Sequence, residues 1–247
     1  MRAGVFDSGV GGLTVVKSLL EHSLFDEIIY FGDTARVPYG IKDKNTIIRY
    51  SLEAVEFFKN FDIDILIAAC NSVSAYAIDE LKAVAPFKVS GVIQPGVKAL
   101  TNKAKNLDAK ILILGTKATI NSQKYKRLLN SQGYYNINSL ATSLFVPVVE
   151  EGLFEGDVLK SVMNHYFDGI DEPDFIILGC THFPLIKNEI SKFFPNATLI
   201  HSGEAVVWFL KNSFNIPKSK SQTSLKLFAS ENPDKLKEVA KKWLYNS

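Results

Sequence analysis

The chain has 247 residues, 47% apolar and 22% charged, with 28 Lys+Arg against 26 Asp+Glu and a net charge of +2. That balance excludes a disordered protein and implies one large domain or two small ones. A near-neutral charge also argues against nucleic acid as a partner, because binders concentrate excess Lys and Arg on one face.

The elements can be taken in chain order. Short apolar runs predict strands at Ala3–Phe6, Ile28–Phe31, Ile65–Ala69, Val89–Val92, Ile111–Leu114, Phe175–Leu178, Thr198–Ile200 and Leu225–Phe228. Most are continuously apolar, as strands buried on both faces of a parallel sheet must be. Helical stripes lie between them, one at Ile48, Leu52, Val55 and Phe58, another at Leu159, Val162, Met163, Tyr166 and Phe167. A last helix is expected from about Pro233 to Leu244, after a Ser- and Lys-rich connector at Asn212–Ser224. Eight of the basic residues fall in 211–247, alternating with Ser, Glu and Asp, which suits a solvated helix face and linker. The alternation of strand and helix predicts βαβ units and an α/β fold.

The first residues reach charge and turn formers too soon for a signal-peptide core. The longest uncharged stretch, 128–149, holds Asn130, Ser131 and Gln132 and does not read as a membrane span. The two cysteines, Cys70 and Cys180, form no C-x-x-C pair. We expect a cytoplasmic protein with reduced thiols, no membrane association and no nucleic-acid partner.

An internal repeat organises the chain. Asp64–Cys70 (DILIAAC) returns as Asp174–Cys180 (DFIILGC), offset 110, and Val37-Pro38 returns as Val146-Pro147, offset 109. Phe6-Asp7-Ser8 aligns with Leu114-Gly115-Thr116, offset 108, and Val92–Gly96 with Leu199–Gly203, offset 107. Four ordered anchors predict two copies of one α/β unit. The expected domains are 1–93 together with 207–247, and 94–206, the last strand and helix returning to pack on the first copy.

Each cysteine ends a buried strand and precedes an expected helix, at Cys70-Asn71-Ser72 and Cys180-Thr181-His182. Ligands of parallel α/β sheets bind beyond the carboxyl ends of the strands, and a following helix N-terminus favours thiolate. The loop Asp7-Ser8-Gly9-Val10-Gly11-Gly12 fails the dinucleotide pattern, because Thr14 stands where a glycine is required. It suits a zwitterion instead, the ammonium on Asp7 and the carboxylate on the helix N-terminus. Gly11 and Gly12 could equally be glycines that a turn requires. Tyr39-Gly40, after the second strand, offers a hydroxyl and an approachable backbone amide, and the equivalent segment of the second copy ends at Glu150. Among the histidines, His182 stands out for its place two residues beyond Cys180, although a core or capping role is the plainer alternative. His22 and His165 suit the surface or helix packing. No metal-ligand spacing is present.

Two thiols at equivalent ends of a repeat, with a small ligand between them, suit a two-base racemase. One thiolate would remove the Cα proton and the opposite thiol would return one to the other face. A cysteine hydrolase would leave the second copy unexplained. A disulfide pair would need the two Cα atoms within about 7 Å. A non-catalytic amino-acid binder remains open, and a pyridoxal-phosphate enzyme would need a Schiff-base lysine, for which Lys117 is the one site-loop candidate.

The runs GVFDSGVGGLT, YFGDTARVPYG, AACNS, LGTxxT and ILGCTHFPL closely resemble the cofactor-independent glutamate racemases of bacteria, in the aspartate/glutamate racemase superfamily. The resemblance spans about residues 2–206 and weakens beyond. It implies two similar parallel-sheet α/β domains related by a pseudo-two-fold axis, with the active site in the cleft between them. It implies interconversion of L- and D-glutamate without pyridoxal phosphate, other cofactor or metal, supplying D-glutamate for peptidoglycan. A homodimer is expected from the same source. By resemblance, Cys70 and Cys180 are the acid/base pair, and Asp7-Ser8, Tyr39-Gly40, Asn71-Ser72 and Thr181-His182 bind substrate. Asp7, Glu150 and His182 tune the thiols or take up their protons, and Thr116 and Thr119 add contacts. Ser72 departs from the usual Thr, keeping the hydroxyl and losing a methyl. An aspartate racemase with a shorter pocket is the nearest alternative.

Overall fold

A computed structural model describes residues 1–214, 216, 219 and 222–245. Its strands are β1 (Arg2–Asp7), β2 (Glu27–Gly32), β3 (Ile65–Ala68), β4 (Lys88–Gly91), β5 (Ile111–Gly115), β6 (Ile137–Ala141), β7 (Phe175–Gly179), β8 (Thr198–Ile200) and β9 (Ser224–Ala229). They form two sheets, in the orders β4-β3-β1-β2-β9 and β6-β5-β7-β8, and every pairing is parallel. This is the expected α/β fold of two similar parallel-sheet domains.

The eight expected strands stand within two residues of their predicted bounds, and β6 is the addition. Its sequence, Ile-Asn-Ser-Leu-Ala, lies at a sheet edge and is half-buried to exposed along its length. An edge strand has no need of a continuous apolar run, so it lacks the signal that marks its neighbours.

The repeat is real but its register differs from the sequence match. Ile67 pairs with Ser90 and Ile177 with Ile200, so this strand pair recurs at a constant offset (177 − 67 and 200 − 90, both 110). The expected alignment of Val92–Gly96 with Leu199–Gly203 is therefore three residues out. Apolar pairs such as Val-Ile and Leu-Ile match at several registers, and only the hydrogen-bond ladder fixes one. The match of Val37-Pro38 with Val146-Pro147 also joins unlike structures: Pro38 follows a cis peptide bond in a loop, whereas Pro147 lies within the helix Phe145–Glu150.

The helix Lys44–Phe58 begins at Asp43, whose carboxylate accepts from the Thr46 backbone N–H at 3.0 Å. Its buried face is Ile47, Ser51, Ala54, Val55 and Phe58, one residue round from the expected stripe, with Ile48 and Leu52 only half-buried. Ser51 can face inward because its hydroxyl bonds the Ile47 carbonyl at 2.7 Å. In the helix Asp157–Phe167 the buried residues are Leu159, Met163 and Phe167, flanked by half-buried Val162 and Tyr166 as expected.

The C-terminal segment returns to the first sheet, β9 running beside β2 from Glu27↔Ser224 to Gly32↔Ala229. The helix Pro233–Tyr245 follows and packs on the helix Leu13–Glu21. Five positions of the expected connector 212–224 (215, 217, 218, 220 and 221) lie outside the described residues. Among the described residues no helix is long and apolar enough to cross a membrane.

Candidate active site

The carboxyl ends of β1 and β3 in one sheet face those of β5 and β7 in the other across a small cavity. All the candidate residues line it except Asp7 and Glu150: Ser8, Tyr39, Gly40, Cys70, Asn71 and Ser72 from one side, and Thr116, Thr119, Cys180, Thr181 and His182 from the other. Val37, Pro38, Val146 and Gly179 complete the lining. A water-sized sphere can sweep about 30 Å³ of it, room for roughly two waters at ~10–15 Å³ each. A larger cavity of about 330 Å³ lies beside the C-terminal helix and reaches Glu150, but touches neither thiol. Both thiols line the small one.

Two close approaches hold the walls together. A Cβ at Gly40 would come within 2.5 Å of Thr116, and one at Gly11 within 2.3 Å of the Thr181 hydroxyl. Neither Gly11 nor Gly12 has a positive φ, so the turn does not demand glycine: at Gly11 the approach of Thr181 and His182 from the other domain does, and at Gly12 the packing of Asp7 and Tyr30. Thr14 Oγ1 donates to the Thr181 carbonyl at 2.8 Å, and the Ser72 and Thr116 hydroxyls meet at 3.1 Å.

The Cys70 wall is acidic. Cys70 Sγ lies 3.5 Å from Ser8 Oγ, and burial together with the carboxylate of Asp7 pushes the thiol up from 9.0 to about 12. The Val73 backbone N–H opposes this, but the helix Asn71–Tyr76 does not win: burial outweighs the helix terminus, and the expected thiolate is a thiol here. Asp7 is fully buried behind the cavity. Its carboxylate accepts from the Gly9 N–H at 3.0 Å and the Thr181 hydroxyl at 3.4 Å, and also takes the Gly12 N–H. Burial raises its pKa, against the opposing pull of His182 and these bonds. The helix N-terminus expected to receive a ligand carboxylate is thus already occupied by Asp7, because a buried carboxylate takes the nearest free N–H groups.

The Cys180 wall carries a cation. His182 Nδ1 lies 3.7 Å from Cys180 Sγ, and Nε2 lies 3.0 Å from Glu150 Oε1. Burial would lower the imidazole's pKa, but these two partners overcome it and lift it from 6.5 to about 10. The ring of Trp243, in the C-terminal helix, stands edge-on to His182 at 6.3 Å. No α-helix begins directly after Cys180, since Phe183–Ile186 is a 3₁₀ turn and the α-helix starts at Lys187.

Tyr39 differs from expectation. Its hydroxyl donates to the buried Asp33, which also accepts from Arg36 Nε at 2.6 Å and Ser230 Oγ at 2.8 Å. A buried carboxylate needs several donors, so the phenol is spent inside the loop and only the Tyr39-Gly40 backbone remains for a ligand. Lys117 is exposed and lines no part of the cavity, which leaves a Schiff-base enzyme without its lysine. His22 caps a helix end through Ser18, His165 is exposed, and His201 caps the helix Ser202–Ser213 by accepting from Gly203 and Glu204. Among the described residues no group of three or more His, Cys, Asp or Glu could hold a metal.

Four residues at the site escape a reading by pattern: Thr14, Asp33, Tyr125 and Trp243. Asp33 lies in the quoted GDTAR run and carries a detectable signal, an acidic residue beside a tyrosine loop. The other three sit on ordinary helical stripes, and only tertiary contact reveals them.

Comparison with known proteins agrees with this geometry. Residues 14–210 match the family described as Asp/Glu/Hydantoin racemase. The glutamate racemase of a Nitratiruptor species is 67% identical over 245 residues, 99% of this chain and 96% of the relative. The crystal structure of glutamate racemase from Campylobacter jejuni superposes with a TM-score of 0.98 at 56% identity, covering 100% of this chain and 99% of that one. That of the Francisella tularensis enzyme in complex with D-glutamate gives 0.87 at 32% identity, covering 100% and 94%. With two facing parallel-sheet domains, paired cysteines at equivalent strand ends and relatives matched along the whole chain, this protein belongs to the Asp/Glu/hydantoin racemase family of isomerases.

Proposed function

We propose that this chain is a glutamate racemase that works by two-base proton transfer between Cys70 and Cys180. The observation that carries the proposal is the pair of buried thiols at equivalent strand ends, lining one small cavity from opposite domains. The choice of glutamate rests on the relatives described as glutamate racemases and on the Francisella structure solved with D-glutamate.

The resting charge follows from the neighbours. Cys70, held protonated by burial and Asp7, is the acid. Cys180, beside the protonated His182 that Glu150 holds in place, is assigned the base in the L-to-D direction. With L-glutamate bound, Cys180 removes the Cα proton and Cys70 delivers its own to the opposite face, leaving D-glutamate, a Cys180 thiol and a Cys70 thiolate. The reverse reaction begins from that state. The Cα–H beside an ionised carboxylate is a weak acid, so donors to the developing enolate oxygens carry much of the barrier lowering. Asn71, Ser72, Thr116, Thr119 and the Gly40 backbone surround the cavity and can provide them. Expulsion of water on substrate binding would strengthen each of these bonds. About 30 Å³ is too little for glutamate, so the lining side chains or the two domains must shift to admit it.

The domain division 1–93 with 207–247, against 94–206, is part of this proposal. Sheet membership supports it, since β9 joins the first sheet. The helix Ser202–Ser213 bridges the division by packing on both Leu13–Glu21 and Ile93–Lys103. A cytoplasmic homodimer supplying D-glutamate for peptidoglycan is the setting the family resemblance suggests.

The test is to incubate L-glutamate, D-glutamate and both aspartate enantiomers separately in deuterated water. Chiral chromatography should find glutamate racemised with deuterium at Cα, and aspartate unchanged. Racemisation of aspartate alone would move the substrate, and binding without exchange would make the chain an amino-acid binder.

A further inference from the structure

Asn71 presents an unbalanced amide. Its Oδ1 accepts from the Tyr125 hydroxyl at 2.8 Å, while Nδ2 is buried and has no partner. Both residues are 3% exposed, and Asn71 lines the cavity beside Cys70. A buried amide NH2 without an acceptor is costly, and a native structure tolerates one where a ligand will take it.

Tyr125 is built into place. It lies in the first turn of the helix Lys124–Asn130 and its hydroxyl reaches from the second domain to Asn71 of the first. Its ring packs closely on Gly96, where a Cβ would press on the ring and hydroxyl at 3.3 Å. Burial and the nearby Cys180 raise its pKa, so it remains a donor. A phenol O–H can satisfy itself on Asn71 only if Oδ1 faces it, which turns Nδ2 the other way.

We propose that Tyr125 is a positioning residue that fixes the orientation of the Asn71 amide, so that both of its N–H donors face the cavity and receive a substrate carboxylate. This rests on the assignment of the cavity as the glutamate site. Tyr125 touches no substrate; it selects one of two amide orientations and spares the ligand the cost of selecting it. Through the same bond it ties the Cys70 strand end to the second domain when the cleft is closed.

A double-mutant cycle tests this. KM and kcat for both glutamate enantiomers are measured for the wild type, Tyr125→Phe, Asn71→Ala and the double variant. Phe keeps the ring in place and removes only the hydroxyl. Tyr125→Phe should raise KM about tenfold, the scale of one well-placed hydrogen bond, with kcat changed much less. In the Asn71→Ala background the same substitution should change KM by less than about twofold. Additive effects, or an unchanged KM in Tyr125→Phe, would overturn the proposal. Asn71→Asp gives an independent check: it still accepts from Tyr125 but donates nothing, so its KM should rise at least as much, and a wild-type KM there would also overturn it. A wild-type enzyme that exchanges no Cα proton would remove the functional assignment and this role with it. A competent wild type with additive variants would remove the role alone.

Discussion

The two walls of the cavity share a backbone plan and differ in charge. Each cysteine follows a central parallel strand, β3 or β7, in sheets with the same order of four strands. Around Cys70 stand a buried carboxylate and a serine; around Cys180 stands an imidazole bridged to Glu150. A duplicated scaffold thus places two like nucleophiles, and the side chains behind them decide which one holds the proton. In the proposed reaction symmetry serves reversibility, because either face of Cα would meet a sulfur. Asymmetry distinguishes the walls, because burial and Asp7 favour the proton on Cys70 whereas His182 stands beside Cys180.

The strongest way to break the comparison is to remove one sulfur. Cys70→Ser or Cys180→Ser replaces a thiol by a far weaker acid and should lower racemisation by several decades, about 10³-fold or more. Turnover above about a tenth of wild type in either variant would contradict two-base transfer. A substrate with a β-leaving group sharpens the result, because elimination needs only one base. The Cys70 variant should then process only the L-form and the Cys180 variant only the D-form, and the opposite preference would reverse the assignment of faces.

Next in size is the cation. His182→Asn keeps a hydrogen-bonding group and removes the charge beside Cys180. The L-to-D kcat should fall by about 10²-fold, the usual scale for a general acid/base contribution, with a smaller change in KM. Unchanged kcat in both directions would make His182 a binding or capping residue.

Much of this arrangement was legible in the sequence. The continuous apolar strands, the recurring D-x-x-I-x-x-C segment and the polar residue after each cysteine were enough to predict two α/β units with facing thiols. What escaped has physical causes. β6 is an edge strand with no buried run to announce it, and the fourth anchor of the repeat slipped because apolar pairs match at several registers. The helix N-terminus after β1 looked free for a ligand, yet the Asp7 side chain folds back onto it. The Tyr39 hydroxyl looked free too, until the loop placed it on Asp33. In the last two cases the backbone was predictable, and what the polar side chain bonds depended on its tertiary neighbours.

Smaller effects concern pH. Asp7 raises the Cys70 pKa, so Asp7→Asn should lower it and move the alkaline limb of the rate profile to lower pH. Glu150 helps hold the proton on His182, whose pKa is lifted to about 10. Glu150→Gln should let that proton leave earlier, again shifting the alkaline limb downward, with kcat at neutral pH reduced by less than about tenfold. These limbs belong to the coupled pair, so the profiles are compared as whole curves. An alkaline limb that stays fixed in both variants would detach Asp7 and Glu150 from the thiols.

The most direct measurement follows the isotope at early times. L-Glutamate is converted in deuterated water to a few per cent, and the Cα position of substrate and product is read separately by mass spectrometry. Two opposed thiols predict that the D-glutamate formed carries deuterium at Cα while the remaining L-glutamate keeps its proton. Product that retains the original proton, or substrate that gains deuterium as fast as product appears, would mean that one base serves both faces and would contradict the account.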